Sequence, residues 1–312
     1  MNALVSLNNS ELELFQTFMN AYSSISKLNH YSGSLERVKN SDGIIVLGTR
    51  VASEIPELFE ALQIADEKNS AKILYAHPLE DIAMQALSAQ FMKYEPGAEE
   101  GVLALFANYL LRKTDLPSEI KAFLNDLDLG YLEAESNIGE EEFEEMLRLF
   151  ENTKSKIFVL GSDIMAHKRA QNIAKICALI EKNSDFSFLI LPDVKENQEK
   201  LLMSDISDKL ESVEELPEFN GTVIYNIKRE ASADNSLQGS AQFARAAKIS
   251  DGDFVSVSFA GQTISRVFKV HNDLKGTIAI NPTFDITVDP RRYKFERSQI
   301  NKINQNSESN NE

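Results

Sequence analysis

Apolar residues along the chain fall into two matching blocks. In the first, GIIVLGTRVASEIPELFEALQIADEKNSAKILYAHP, an unbroken apolar run at 44–47 stops at Gly48, an amphipathic stretch follows, and a second apolar run closes at Pro78. In the second, KIFVLGSDIMAHKRAQNIAKICALIEKNSDFSFLILPD, the run at 157–160 stops at Gly161 and the closing run ends at Pro192. Both helical stretches carry Glu-Lys-Asn near their ends. Each block therefore reads as a strand, helix and strand, at 43–78 and 156–193. Strands that are apolar throughout, rather than alternating, are expected where helices cover both faces of a parallel sheet. The predicted class is α/β: a Rossmann-like, doubly wound, mostly parallel sheet.

Between the blocks the pattern predicts helices over 80–92 and over 96–112, the latter opening at a Pro-Gly turn. The acidic stretch 133–151 predicts one more, with Asn137 as its cap and Glu140 completing a capping box. Past about residue 216 the texture changes to short segments rich in Val, Ile, Phe and Tyr (GTVIYNI, DFVSVSF, TISRVFKV, GTIAINP), separated by turn residues. The expected division is an α/β domain over 1–215, in one lobe or two, then a small β-barrel-like domain over 216–295 and a disordered tail over 296–312. The closing NKINQNSESNNE has no apolar face to bury.

Composition narrows the function. With 43% apolar and 26% charged residues, the 312-residue chain is an ordinary globular protein with more than one core. No apolar run approaches the roughly 20 residues of a membrane helix. The amino terminus lacks a secretory pattern, so a cytoplasmic location without direct membrane insertion is expected. A net charge of -16 disfavours nucleic acid and anionic lipid as partners. The single cysteine, Cys177, lies at helical spacing with Ile173, Ile176 and Ile180 and reads as core. An iron-sulfur cluster, which wants about four thiolates, cannot be built from it. His30, His77, His167 and His271 show no metal-ligand spacing. His167, Lys168 and Arg169 form a basic cluster, either a solvated helix start or a point of attraction for an anion or acidic partner.

The candidate cofactor-binding residues are those where the two apolar runs end: Gly48, Thr49, Arg50, and Gly161, Ser162, Asp163. Open α/β sheets bind ligands at the carboxyl ends of their strands. Neither turn is a G-x-G-x-x-G loop, however, and the simpler reading is a glycine that permits a tight turn. No G-x-S-x-G elbow is present, and no catalytic or metal residue is singled out.

The segments DGIIVLG at 42–48, EPGAEE at 95–100, GYLEAESN at 130–137, FVLG at 158–161 and AHKRAQNIAK at 166–175, in that order and spacing, resemble one family. It is the molybdopterin-oxidoreductase-like, carboxyl-terminal region of the large iron-sulfur subunit of bacterial NADH-quinone oxidoreductase, respiratory complex I. AAKISDGDFVSV at 246–257, with Gly276 and Pro282 beyond it, looks like the start of the barrel that closes molybdopterin enzymes. The family's amino-terminal iron-sulfur region has no counterpart here. The resemblance implies a structural, partner-binding subunit or fragment of the peripheral arm, at the cytoplasmic face of the membrane through its partners. Those partners are the other peripheral-arm subunits, and iron-sulfur clusters, flavin or other carriers are expected only on them. It further implies that this chain binds no cofactor and has no autonomous catalytic site. Two alternatives stay open: a molybdopterin-type oxidoreductase fragment contributing to pterin dinucleotide binding, and a free-standing anion or nucleotide-binding α/β protein.

Overall fold

The computed structural model describes residues 8–192, 206–228 and 234–303. It divides the chain into two units, one running through Pro217 and including Pro290–Tyr293, the other Glu218–Asp289 with the chain from Lys294 onward.

In the first unit the order is α1 (Asn9–Ser26), α2 (Leu35–Lys39), β1 (Gly43–Leu47), α3 (Val51–Glu54), α4 (Pro56–Asn69), β2 (Lys72–Ala76), α5 (Ile82–Gln85), β3 (Gln90–Met92), α6 (Glu99–Leu111), α7 (Ser118–Asn125), α8 (Leu129–Ser136), α9 (Glu140–Leu149), β4 (Lys156–Leu160), α10 (Ala170–Asn183) and β5 (Phe186–Ile190). The five strands are all parallel, in the order β3-β2-β1-β4-β5. Both blocks of the repeat thus start at the centre, on β1 and β4, and wind outward in opposite directions. Helices shield both faces, and every residue of β1 is buried. Cys177 is buried in α10 among Ile173, Ile176 and Ile180, and burial raises its thiol far above the usual range.

The outer edge of β5 is closed by the chain itself. Gly33 donates its N–H to the Phe188 carbonyl at 2.6 Å, and Glu181 of α10 accepts from the Phe188 N–H at 3.1 Å. A β-carbon at Gly33 would stand 2.3 Å from that carbonyl oxygen, so the strap can lie this close only as glycine.

Two local expectations are corrected. The stretch 80–92 is not one helix: only Ile82–Gln85 is helical, and Gln90–Met92 is a strand. Pairing of Leu74 with Gln90 decided this, a tertiary contact to which helical periodicity is blind. Asn137 does not cap the acidic helix but ends α8 in the left-handed conformation. Gly139 starts α9 instead, its N–H donating to the Glu142 carboxylate at 3.1 Å.

The second unit contains β6 (Val223–Ile227), β7 (Leu237–Gly239), α11 (Ala241–Ala247), β8 (Phe254–Phe259), β9 (Gln262–Val270), β10 (Ile278–Pro282), β11 (Phe295–Arg297) and β12 (Gln299–Lys302). Its mixed sheet runs β11-β6-β10-β7-β9-β8-β12. The edge strands β11 and β12 adjoin in sequence, so one stretch of chain pairs with β6 by its first half and β8 by its second, and the sheet must curl. This corrects the expected tail: 296–302 contributes to both strands, and Ile300 is buried opposite Val257. Polar composition argued for disorder, but a sheet edge supplies backbone partners regardless of side chain. The remainder of that expectation, 304–312, falls outside the described residues. The architecture is α/β, a parallel Rossmann-like sheet and a separate curled mixed sheet.

Candidate functional site

The chain's winding reverses between β1 and β4, and the space beyond their carboxyl ends is where a sheet of this topology offers a crevice. All six strand-end candidates are brought together there. Gly48 takes φ +77, which turns the chain sharply off β1. Gly161 has an ordinary φ of -79, so a tight turn is not what requires glycine there. A β-carbon on it would lie 2.1 Å from the Gly48 carbonyl oxygen. The Gly161 N–H donates to Leu47 O at 2.7 Å and the Asp163 N–H to Gly48 O at 3.1 Å. The two turns are bonded directly to one another, as the ladder between β1 and β4 continues past the strand ends.

Thr49 is fully buried, and its carbonyl accepts from the Tyr75 hydroxyl at 3.1 Å. The backbone N–H of Arg50 donates to Glu54 at 3.1 Å. Ser162 and Asp163 begin a short 3-10 turn. Asp163 is buried against His77, with Oδ2 3.2 Å from Nε2. The Leu79 N–H donates to His77 Nδ1 at 3.0 Å, which leaves the Nε2 proton for Asp163. Beneath His77, the Tyr75 ring stacks at 5.9 Å.

No sequence motif pointed to two further groups. Arg50 lies 3.9 Å from Asp81, with Glu80 held by Lys93 at 2.9 Å. In this group Arg50 Nε and Nη1, Glu80 Oε2 and Asp81 Oδ2 are buried without a hydrogen-bond partner among the described residues. The other group surrounds Glu99, the first residue of α6. Its carboxylate accepts from Tyr293 and faces Tyr94 and Asp163. Burial, opposed by the Tyr293 hydrogen bond, pushes this carboxyl up to about 7. Burial likewise drives the phenols of Tyr94 and Tyr293 well above their usual range. These residues come from the chain after β3, from α6 and from beyond residue 289, so no local motif could have joined them. His77 alone carried a signal, standing directly after the second strand of the first block.

The basic cluster is neither a solvated helix start nor a free anion site. His167 is buried, donating from Nε2 to Gly97 O at 3.0 Å, and burial lowers its pKa. Arg169 binds Glu100 at 3.0 Å, Glu211 at 2.7 Å and Glu214 at 3.1 Å. Lys168 reaches Glu214 at 3.6 Å. The acidic partner is this chain's own segment around residue 211. Among the described residues no cluster of three or more His, Cys, Asp or Glu could hold a metal ion, and no helix is long and apolar enough to cross a membrane.

No protein-family model and no curated protein matches the sequence. The fold is similar to that of acetylene hydratase from Pelobacter acetylenicus, with a TM-score of 0.50 and 8% identity over 88% of this chain and 74% of that one. At that identity the likeness is one of fold alone.

Proposed function

We propose that this chain is a structural, partner-binding subunit or fragment of the peripheral arm of a bacterial NADH-quinone oxidoreductase, contributing folded mass and contact surface while partner segments carry flavin and iron-sulfur clusters. The observation that carries the reading is the close approach of Gly48 and Gly161, where a β-carbon on Gly161 would meet the Gly48 carbonyl oxygen. At the strand ends, where a sheet of this topology offers a crevice, the two turns bond to each other and the buried His77–Asp163 pair stands beside them. In this reading the junction serves packing. The order of the segments between residues 42 and 175 supplies the resemblance, and the α/β unit followed by a curled sheet is compatible with it. In this reading the chain lies at the cytoplasmic face of the membrane through its partners.

A specific observation favours a second reading, a molybdopterin-type fragment that contributes to pterin dinucleotide binding. The half-satisfied set Arg50, Glu80 and Asp81 offers both donors and acceptors at the strand ends. One experiment separates the two: purification of the tagged chain from detergent-solubilised membranes, with mass spectrometry of what accompanies it and metal and pterin analysis of the chain. Co-purifying quinone-reductase subunits, with neither pterin nor molybdenum, is the expected result. A bound pterin without those subunits overturns it in favour of the second reading.

A further inference from the structure

The stretch 206–217 forms no helix or strand, and among the described residues no backbone–backbone hydrogen bond holds it. Side chains of the first unit bind its main chain instead. Asn172 of α10 takes both sides of one residue: Oδ1 accepts from the Glu211 N–H and Nδ2 donates to the Glu211 carbonyl, each at 3.0 Å. Lys175 donates to the Lys209 carbonyl at 2.9 Å, and Arg169 to the Ser212 carbonyl at 3.1 Å. Further along, the Leu216 N–H donates to the Tyr131 hydroxyl of α8 at 2.9 Å. Arg169, Asn172 and Lys175 are spaced by three and so form one stripe at the start of α10. The segment follows that stripe in the opposite direction.

Its side chains keep a period of three. Asp208-Lys209-Leu210, Glu211-Ser212-Val213 and Glu214-Glu215-Leu216 each place an acid first and an apolar residue third. Three is also the repeat of an extended left-handed chain without internal hydrogen bonds, which leaves its main chain open to a host's side chains. The acids meet cations: Asp208 meets Lys27 at 3.0 Å, Glu211 meets Arg169 at 2.7 Å and Lys175 at 3.6 Å, and Glu214 meets Arg169 at 3.1 Å and Lys168 at 3.6 Å. Leu210, Val213 and Leu216 pack on the apolar core of the first unit. The carboxylates themselves are at least half-exposed, so their ion pairs are individually weak and screened by salt. What they cover is not exposed: Asn172 and Lys175 are buried beneath the segment.

We propose that this face of α10 is a docking site for an extended peptide carrying the repeat acid, any residue, apolar, and that the chain's own 208–216 occupies it in cis until a partner's segment of the same repeat takes its place. Asn172 reads the main chain of the peptide, whatever its sequence. The cations and the core beneath them fix its register, because a shift by one residue would set acids against the core. The inference rests on the partner-binding reading and adds the surface and the partner's chemistry. Its test uses purified components, so it can fail while co-purification succeeds, and the reverse.

The probe is a fluorescein-labelled synthetic peptide of residues 206–217, ISDKLESVEELP, followed by fluorescence anisotropy against the full chain. In Glu211→Lys with Glu214→Lys the chain's own segment is repelled by Lys168, Arg169 and Lys175, and hydrogen exchange over 206–217 should become fast. The peptide should then bind this variant at least about 10-fold more tightly than the parent, where the occupant competes. Binding should weaken as salt rises from about 0.05 to about 0.5 M. A scrambled peptide of equal composition should bind at least about 10-fold more weakly. Adding Asn172→Ala to the double variant should cut affinity by at least about 10-fold through loss of the contacts to the peptide main chain, with an unchanged circular dichroism spectrum as the check on folding. A segment still protected in the double variant, no peptide binding once it is released, or equal binding of the scrambled peptide would each overturn the docking site.

Discussion

Gly161 lies so close to Gly48 that a β-carbon added to it would meet the Gly48 carbonyl oxygen at 2.1 Å and the carbonyl carbon at 2.4 Å. The obstacle is backbone at the centre of the sheet and cannot swing aside. Gly161→Ala is therefore expected to cost at least about 3 kcal/mol, seen as a lower midpoint in urea denaturation. Gly252 is the contrast: φ is +82 but nothing lies within 4 Å of its β-carbon position, so Gly252→Ala should cost only the left-handed penalty of about 1 kcal/mol. Equal losses in the two variants would contradict this account of the junction.

The edge of β5 gives a second test. Gly33→Ala pushes the strap off Phe188 and breaks the Gly33–Phe188 hydrogen bond. We expect a loss of about 2 kcal/mol together with faster proteolysis around residue 33, followed by mass spectrometry.

Breaking the buried dyad should be costly. Asp163→Ala leaves the His77 Nε2–H without its carboxylate acceptor in a site closed to water. A loss of about 2 kcal/mol is expected from an unsatisfied buried donor. His77→Ala and Asp163→Ala should be strongly non-additive in a double-mutant cycle. Additive effects would mean the pair is not coupled.

Glu99 predicts a pH dependence of stability whose sign follows from its raised pKa. The folded protein binds this proton up to about pH 7, the unfolded chain only to 4.5. Its contribution is fully present below pH 4.5 and is lost as pH rises to about 7, amounting to about 3 kcal/mol for this group. The difference in unfolding free energy between Glu99→Gln and the parent should therefore change by that amount between about pH 4.5 and about pH 8, with the variant relatively more stable at the alkaline end.

In the second unit, Arg266 is 4% exposed and held by both oxygens of Asp285 at 2.9 and 2.7 Å. Asp285→Ala strands a buried guanidinium and is expected to destabilise by about 3 kcal/mol. The double replacement Arg266→Met with Asp285→Ala should recover much of that, as measured by thermal denaturation.

The amino-acid sequence by itself determined the strands and the kind of sheet. An apolar run such as 44–47 or 157–160 can be satisfied only when both faces are covered, so β1 and β4 and their parallel setting were legible from hydrophobicity alone. The same held for Cys177, whose spacing placed it inside α10. Only the tertiary structure decided the rest, because the deciding partners are remote in sequence. Gln90–Met92 became a strand by pairing with β2, and Gln299–Lys302 became one because β8 offered an edge. Arg169 was neutralised by carboxylates on either side of it in the chain, Glu100 and Glu211. At the junction, the sequence marked Gly48 and Gly161 as equivalent ends of a repeat. Their different reasons for being glycine, a positive φ in one and a neighbouring carbonyl in the other, depend on how closely the turns after β1 and β4 approach, and that distance exists only in three dimensions.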